Sequence, residues 1–292
     1  MTPSTYPPLM DAATLAKRLQ DPEPPVILDC SFDLSDPGKG ARTYAQGHLP
    51  GAHYAHLDRD LSGPQHPEGP RSTRFTGRHP LPDRQAWAAW VAQRGIRPAR
   101  LVVTYDGEGL PFAARAWWLL RWLGHAQVAV LDGGMAAWVN GGYALSTDVP
   151  PLAAATAYPA SPMPAMPTVD VAQLLLQLQD VLIIDARAAE RFRGDVEPLD
   201  PVAGHIPGAR QRFFKDNLRP DGRFQSPEVL REAFAQRGVR GAAGVVMACG
   251  SGVTACHNLL AMAHAGLGDA VLYPGSWSQW CADPSRPVAR GA

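Results

Sequence analysis

Short apolar runs punctuate the chain. VILD (26–29), LVVTYD (101–106) and VAVLDGG (128–134) fall in the first half, and VLIID (181–185), GVVMAC (244–249) and AVLYPG (270–275) in the second. Each is a few β-branched or aliphatic residues closed by a polar or glycine-bearing turn, the pattern of a strand buried on both faces. Between them, the stretches 83–93, 115–122, 227–237 and 254–264 read as helices. Strands alternating with helices predict an α/β fold with a parallel sheet flanked by helices, and place ligands at the carboxyl ends of the strands.

The pattern repeats. GHLPGAHY at 47–54 returns as GHIPGAR at 204–210, VILDCSFDL at 26–34 as LIIDARAAERF at 182–192, and LDGGMAAW at 131–138 as YPGSWSQW at 273–280. Three blocks in the same order mean two copies of one domain. The first copy runs longer after its GHLPGA block, through a stretch rich in Pro, Gly and His. Residues 146–168, full of prolines and small side chains without periodicity, have the composition of a linker. The expected division is a first domain over 1–145, a linker over 146–168 and a second domain over 169–292.

Composition narrows the function classes. Of 292 residues 46% are hydrophobic and 18% charged, an ordinary globular balance, and 27 basic against 27 acidic residues leave no footprint for nucleic acid. The first residues lack a basic start followed by an apolar stretch, and no apolar run of membrane-spanning length occurs, so the expected setting is the cytoplasm with no membrane partner. Four cysteines (Cys30, Cys249, Cys256, Cys281), none in a CxxC pair, are expected as reduced thiols. Cys256 and His264 share a helix face, but no further ligands at suitable spacing accompany them, so no metal is expected.

The chemistry concentrates in ACGSGVTA at 248–255. A strand ending at Ala248 and a helix starting at Thr254 force residues 250–253 into a tight turn, for which the glycines supply the backbone freedom. Inward-pointing amides followed by a helix N-terminus form an anion-binding nest, and a thiol at its mouth is favoured as the thiolate, a ready nucleophile. The first copy has Asp106 where the second has Cys249, so one copy is expected to be active and the other to serve as scaffold. No Lys follows Gly252, which removes a nucleotide-binding P-loop. The sixth position after the cysteine, where a cysteine-dependent phosphatase would need arginine to clamp phosphate, is Ala255.

The tandem repeat, the GH[IL]PGA and glycine-tryptophan blocks, the aspartate in the first loop and CGSGVT in the second together resemble the two-domain rhodanese-like sulfurtransferases, over nearly the whole chain. CGSGVT resembles the loop of the 3-mercaptopyruvate branch. The resemblance implies two tandem rhodanese-like domains and a Cys249 persulfide formed from a small sulfur donor. The persulfide sulfur then passes to cyanide, a thiol or reduced thioredoxin, without metal or organic cofactor. It implies stabilisation of the persulfide by the loop of Gly250, Ser251, Gly252, Val253 and Thr254, and proton transfer by Ser251, Asp58 and His79. It also implies donor binding by Arg191. A second arginine of the family pattern is replaced by Leu199, which makes thiosulfate an alternative donor to 3-mercaptopyruvate. A third possibility is a rhodanese fold used only as a binding module.

Overall fold

The computed structural model describes residues 6–291 apart from 73, 108, 155 and 156. Glu108 in the first-copy loop, and Ala155 and Thr156 within 146–168, lie outside the described residues. The chain divides into two compact units. One comprises Met1–Ser62, Pro82–Met166 and Leu218–Phe224, and the other Gly63–Leu81, Pro167–Asn217 and Gln225–Ala292.

In the first unit, β1 (Leu9–Met10), β2 (Val26–Asp29), β3 (Ala52–Tyr54), β4 (Val102–Tyr105) and β5 (Val128–Leu131) form a parallel sheet in the order β1-β5-β4-β2-β3. Every residue of β2, β4 and β5 is buried, as the unbroken apolar runs require. Around the sheet stand α1 (Ala12–Arg18), α2 (Lys39–Gln46), α3 (Arg84–Gln93), α4 (Pro111–Leu123) and α5 (Gly134–Asn140). Asp83 caps α3 by accepting the amides of Gln85 and Ala86. The α4 helix starts on a proline, which loses no needed N–H there, and is apolar almost all round, so Trp117 and Trp118 lie inside.

In the second unit, β6 (Leu182–Asp185), β7 (Arg210–Gln211), β8 (Val245–Ala248) and β9 (Val271–Leu272) form a parallel sheet ordered β7-β6-β8-β9. Its helices are α6 (Val171–Leu176), α7 (Ala189–Arg193), α8 (Pro227–Ala235), α9 (Thr254–His264) and α10 (Ser276–Trp280). Leu174, Ile183, Val246, Tyr273, Trp277 and Trp280 belong to one buried cluster. The α9 helix follows β8 after five residues, Cys249 and the four of the glycine loop, which puts that loop at the carboxyl end of a central strand.

The extra length of the first copy is built into the second unit. Gly63 N–H donates to the Pro80 carbonyl (3.0 Å), closing the segment on itself. The Arg78 amide donates to Ser278 Oγ (3.1 Å) within α10. Gly77 has φ +108°, and a Cβ on it would lie 2.9 Å from the Gly275 carbonyl oxygen, so only glycine permits this approach.

The two repeat histidines do the same structural job in their own units. His48 Nδ1 bonds the Tyr44 carbonyl (2.8 Å) and stacks on Tyr44, and His205 Nδ1 bonds the Phe192 carbonyl (2.8 Å) and stacks on Phe192. Among the described residues no helix is long and apolar enough to cross a membrane.

Candidate active site

Cys249 follows the last residue of β8 and is 2% exposed. Its Sγ accepts the amide N–H of Gly252 (3.1 Å) and of Ser251 (3.4 Å), the arrangement by which backbone dipoles favour negative charge on sulfur. Gly252 has φ +77°, and a Cβ there would collide with the Pro274 carbonyl, so the turn that aims these amides depends on glycine. Val253 and Thr254 complete the loop at the start of α9. From the other side, the Cys249 amide donates to Ser276 Oγ (3.0 Å), whose hydroxyl donates to the Tyr273 carbonyl (2.9 Å). Ser276 holds φ +51°, a left-handed conformation unusual for a residue with a side chain, at the position where the first unit has Gly134 at φ +55°.

His79 is buried, and its Nδ1 lies 2.7 Å from Ser251 Oγ. The hydroxyl and imidazole are therefore in range to exchange a proton one residue beyond the amide of Gly250. Two guanidinium groups stand over the loop. A Cβ built on Gly250 would lie 2.9 Å from Arg78 Nη2 and 3.5 Å from Arg191 Nη1. Arg191 comes from α7, and Arg78 precedes His79.

The guanidiniums are held by an alternating run of charges. Arg78 pairs with Asp200; Arg191 reaches Asp200 (3.4 Å) and Glu197 (2.6 Å); Arg187 reaches Glu197 (3.4 Å) and Asp185 (2.7 Å) and lies over the Trp277 ring. Glu197 also accepts the amides of Leu199 (3.1 Å) and Asp200 (3.2 Å), which fixes the turn carrying Asp200. Burial raises the Asp200 carboxyl from its ordinary value, against the pull of Arg78 and Arg191.

The second unit thus brings together Cys249, Ser251, His79 and Arg191. Asp58 belongs to the first unit, where it is exposed and its amide donates to His56 Nδ1 (3.2 Å). Arg78 was not picked out from the sequence; its signal was its place beside His79 in GRHPLP. Leu199, at the position where the resemblance implies a second arginine, is 47% exposed. The second guanidinium near the loop comes from Arg78 instead. Arg193 forms an exposed pair with Asp195.

The remaining thiols lie in different surroundings. Burial raises Cys30 well above the ordinary thiol range and Cys281 up to about 12. Cys256 Sγ donates to the Gly252 carbonyl (3.3 Å), so it braces the loop. In the first unit, Asp106 follows β4 as Cys249 follows β8. Its carboxylate accepts the amides of Leu110, Phe112 and Ala113 (3.0 Å each). Burial outweighs those bonds and holds Asp106 up to about 7. The first nest is therefore filled by the chain itself.

The rhodanese-like domain profile matches residues 11–141 and 168–283. The chain is 49% identical to a probable 3-mercaptopyruvate sulfurtransferase of Pseudomonas aeruginosa over 97% of its own length and 98% of the relative's. It is 40% identical to a putative thiosulfate sulfurtransferase of Mycobacterium tuberculosis, over 97% of each chain. Among solved structures, it resembles the 3-mercaptopyruvate sulfurtransferase of Leishmania major with a TM-score of 0.81 at 31% identity, covering 95% of this chain and 75% of that one. The corresponding Escherichia coli enzyme matches with a TM-score of 0.78 at 31% identity, covering 94% of this chain and all of that one.

Proposed function

The chain belongs to the rhodanese-like family, and from that premise we propose that it is a sulfurtransferase in which Cys249 carries sulfur from 3-mercaptopyruvate to a thiophilic acceptor. The observation that carries this reading is the Cys249 sulfur seated on two loop amides, beneath two guanidiniums and beside a Ser251–His79 pair.

The Cys249 thiolate attacks the donor's sulfur. The new S–S bond forms as the donor's C–S bond breaks, and the electron pair of that bond leaves on carbon as the enolate of pyruvate. The donor's thiol proton supplies what that carbon needs, and Ser251 with His79 can take it up and return it. Thiolate plus mercaptopyruvate thus becomes Cys–S–S⁻ plus pyruvate, with no net proton gained or lost. The amides of Ser251 and Gly252 that hold Sγ suit the anionic persulfide. Cyanide then attacks the outer sulfur, leaves as thiocyanate and restores the thiolate; a small thiol or reduced thioredoxin can accept the sulfur in the same way.

Arg191 and Arg78 are the groups suited to the donor's carboxylate and keto oxygens, since a planar guanidinium matches a carboxylate with paired donors. This supports 3-mercaptopyruvate despite Leu199. The four cysteines are free thiols, which fits a reducing setting, and we place the reaction in the cytoplasm.

The test is kcat/KM for 3-mercaptopyruvate and thiosulfate with cyanide as acceptor, in the natural protein and in Cys249→Ser. The expected result is higher kcat/KM for 3-mercaptopyruvate and a loss of at least about a thousandfold in the variant, which keeps its fold. Turnover retained in Cys249→Ser overturns the proposal, and preference for thiosulfate overturns the donor assignment.

A further inference from the structure

We propose that Asp200 is a specificity-determining residue that makes the donor site favour singly charged carboxylates over doubly charged donors such as thiosulfate. The proposal deepens the sulfurtransferase reading and rests on it.

Arg78, Arg187 and Arg191 are balanced by Asp185, Glu197 and Asp200, so the cluster is neutral before any donor or thiolate is counted. Asp200 is the member placed between the two guanidiniums that face Gly250: it pairs with Arg78 on one oxygen and approaches Arg191 on the other. Its side chain is 2% exposed, so solvent screens its field only weakly. Arg191 faces the loop through its Nη atoms, 3.5 and 3.7 Å from the position a Cβ on Gly250 would take.

An anionic donor entering beneath Arg78 and Arg191 meets their attraction and the repulsion of Asp200 together. That repulsion scales with the donor's charge, so a dianion feels twice what a monoanion feels. Discrimination of this kind is built from a repulsive element as much as from attractive ones. Asp200 also occupies the guanidiniums in the resting site, so a donor must share them rather than fill an open cationic slot. A second carboxylate, Glu197, holds Arg191 more closely, from the side shared with Arg187, and fixes the turn, whereas Asp200 is paired with both Arg78 and Arg191.

The test compares the natural protein with Asp200→Asn, Asp200→Ser and Asp200→Glu, each checked by thermal unfolding, for kcat/KM with thiosulfate and with 3-mercaptopyruvate. Both neutral variants should raise the thiosulfate-to-mercaptopyruvate ratio about tenfold, chiefly through a lower KM for thiosulfate. Asp200→Glu, which keeps the charge, should leave the ratio within about twofold of the natural value. Equal losses for both donors in the neutral variants, with the ratio unmoved, would mean that Asp200 only holds the arginines in place, and would overturn the inference. In the natural protein, without any substitution, pyruvate should inhibit competitively at lower concentration than sulfate; the reverse order contradicts the inference even if the variants do not fold. A natural protein that turns over neither donor overturns the sulfurtransferase reading itself, whereas an active one with an unmoved ratio overturns this inference alone.

Discussion

The two units hold the same loop put to opposite uses. Four residues separate β4 from α4 and β8 from α9 once Asp106 and Cys249 are set aside, and the third of them, Gly109 or Gly252, has φ near +70° in both. In the first unit the amides at the head of the helix close on Asp106 and leave the nest satisfied from within. In the second, a thiol too short and too weak an acceptor to fill the nest sits on two amides, and two guanidiniums stand above Gly250. Above Gly107, the nearest side-chain atom to the position a Cβ would take is Ser31 Oγ at 3.9 Å. The lesson is that the glycine loop supplies only a nest; what occupies it and what charge lies over it decide whether it works on an anion.

Removing the cationic cover should make the second loop resemble the first most strongly. Arg191→Ala is expected to lower kcat/KM for 3-mercaptopyruvate about a hundredfold, mainly through KM, since a charge-assisted contact to the donor is lost. Steady-state kinetics check this, and an unchanged KM would place Arg191 outside donor binding.

A smaller effect should appear in the first loop as a pH dependence of stability. The folded pKa of Asp106, about 7, lies above the ordinary 3.8. The folded state therefore keeps a proton that the unfolded chain gives up. The stability this contributes is fully present below about pH 4 and is lost as pH rises to about 7. Asp106→Asn has no such titration, so the melting temperature of the natural protein relative to this variant should fall by several degrees between pH 5 and pH 8. A difference constant across that range would contradict the burial of Asp106 as the cause.

The smallest effect concerns Ser276. Ser276→Ala loses the hydroxyl that holds the Cys249 amide and keeps the strained φ, while Ser276→Gly, which copies Gly134, loses the hydroxyl and relieves the strain. The glycine variant should be the more stable of the two by about 1 kcal/mol, read from denaturant unfolding.

Much of this contrast was visible in the sequence, because it lies within local, strongly patterned segments. The runs at 245–248 and 254–264 are long enough for their burial and period to fix a strand and a helix, and α9 spans Thr254–His264 as expected. Elements such as β1, β7 and β9 have two residues each, too few for any periodicity to register. The role of 63–81 was hidden for a different reason. Chain order assigns it to the first copy, whereas its packing against Gly275 and Ser278 belongs to the second unit, and nothing local encodes that choice. Arg78 was missed with it. Leu199 marks only a position along its own segment, whereas a guanidinium can approach the loop from another segment, as Arg78 does.

The central claim is that sulfur is carried by the second loop alone, on Cys249. The most direct measurement is mass spectrometry of peptides after brief exposure to 3-mercaptopyruvate without an acceptor, with thiols blocked under non-reducing conditions. The account predicts one added sulfur on the peptide containing Cys249 and none on those containing Cys30 or Cys281, with fragmentation excluding Cys256. An unmodified Cys249, or a persulfide on one of the other three cysteines instead, would contradict it.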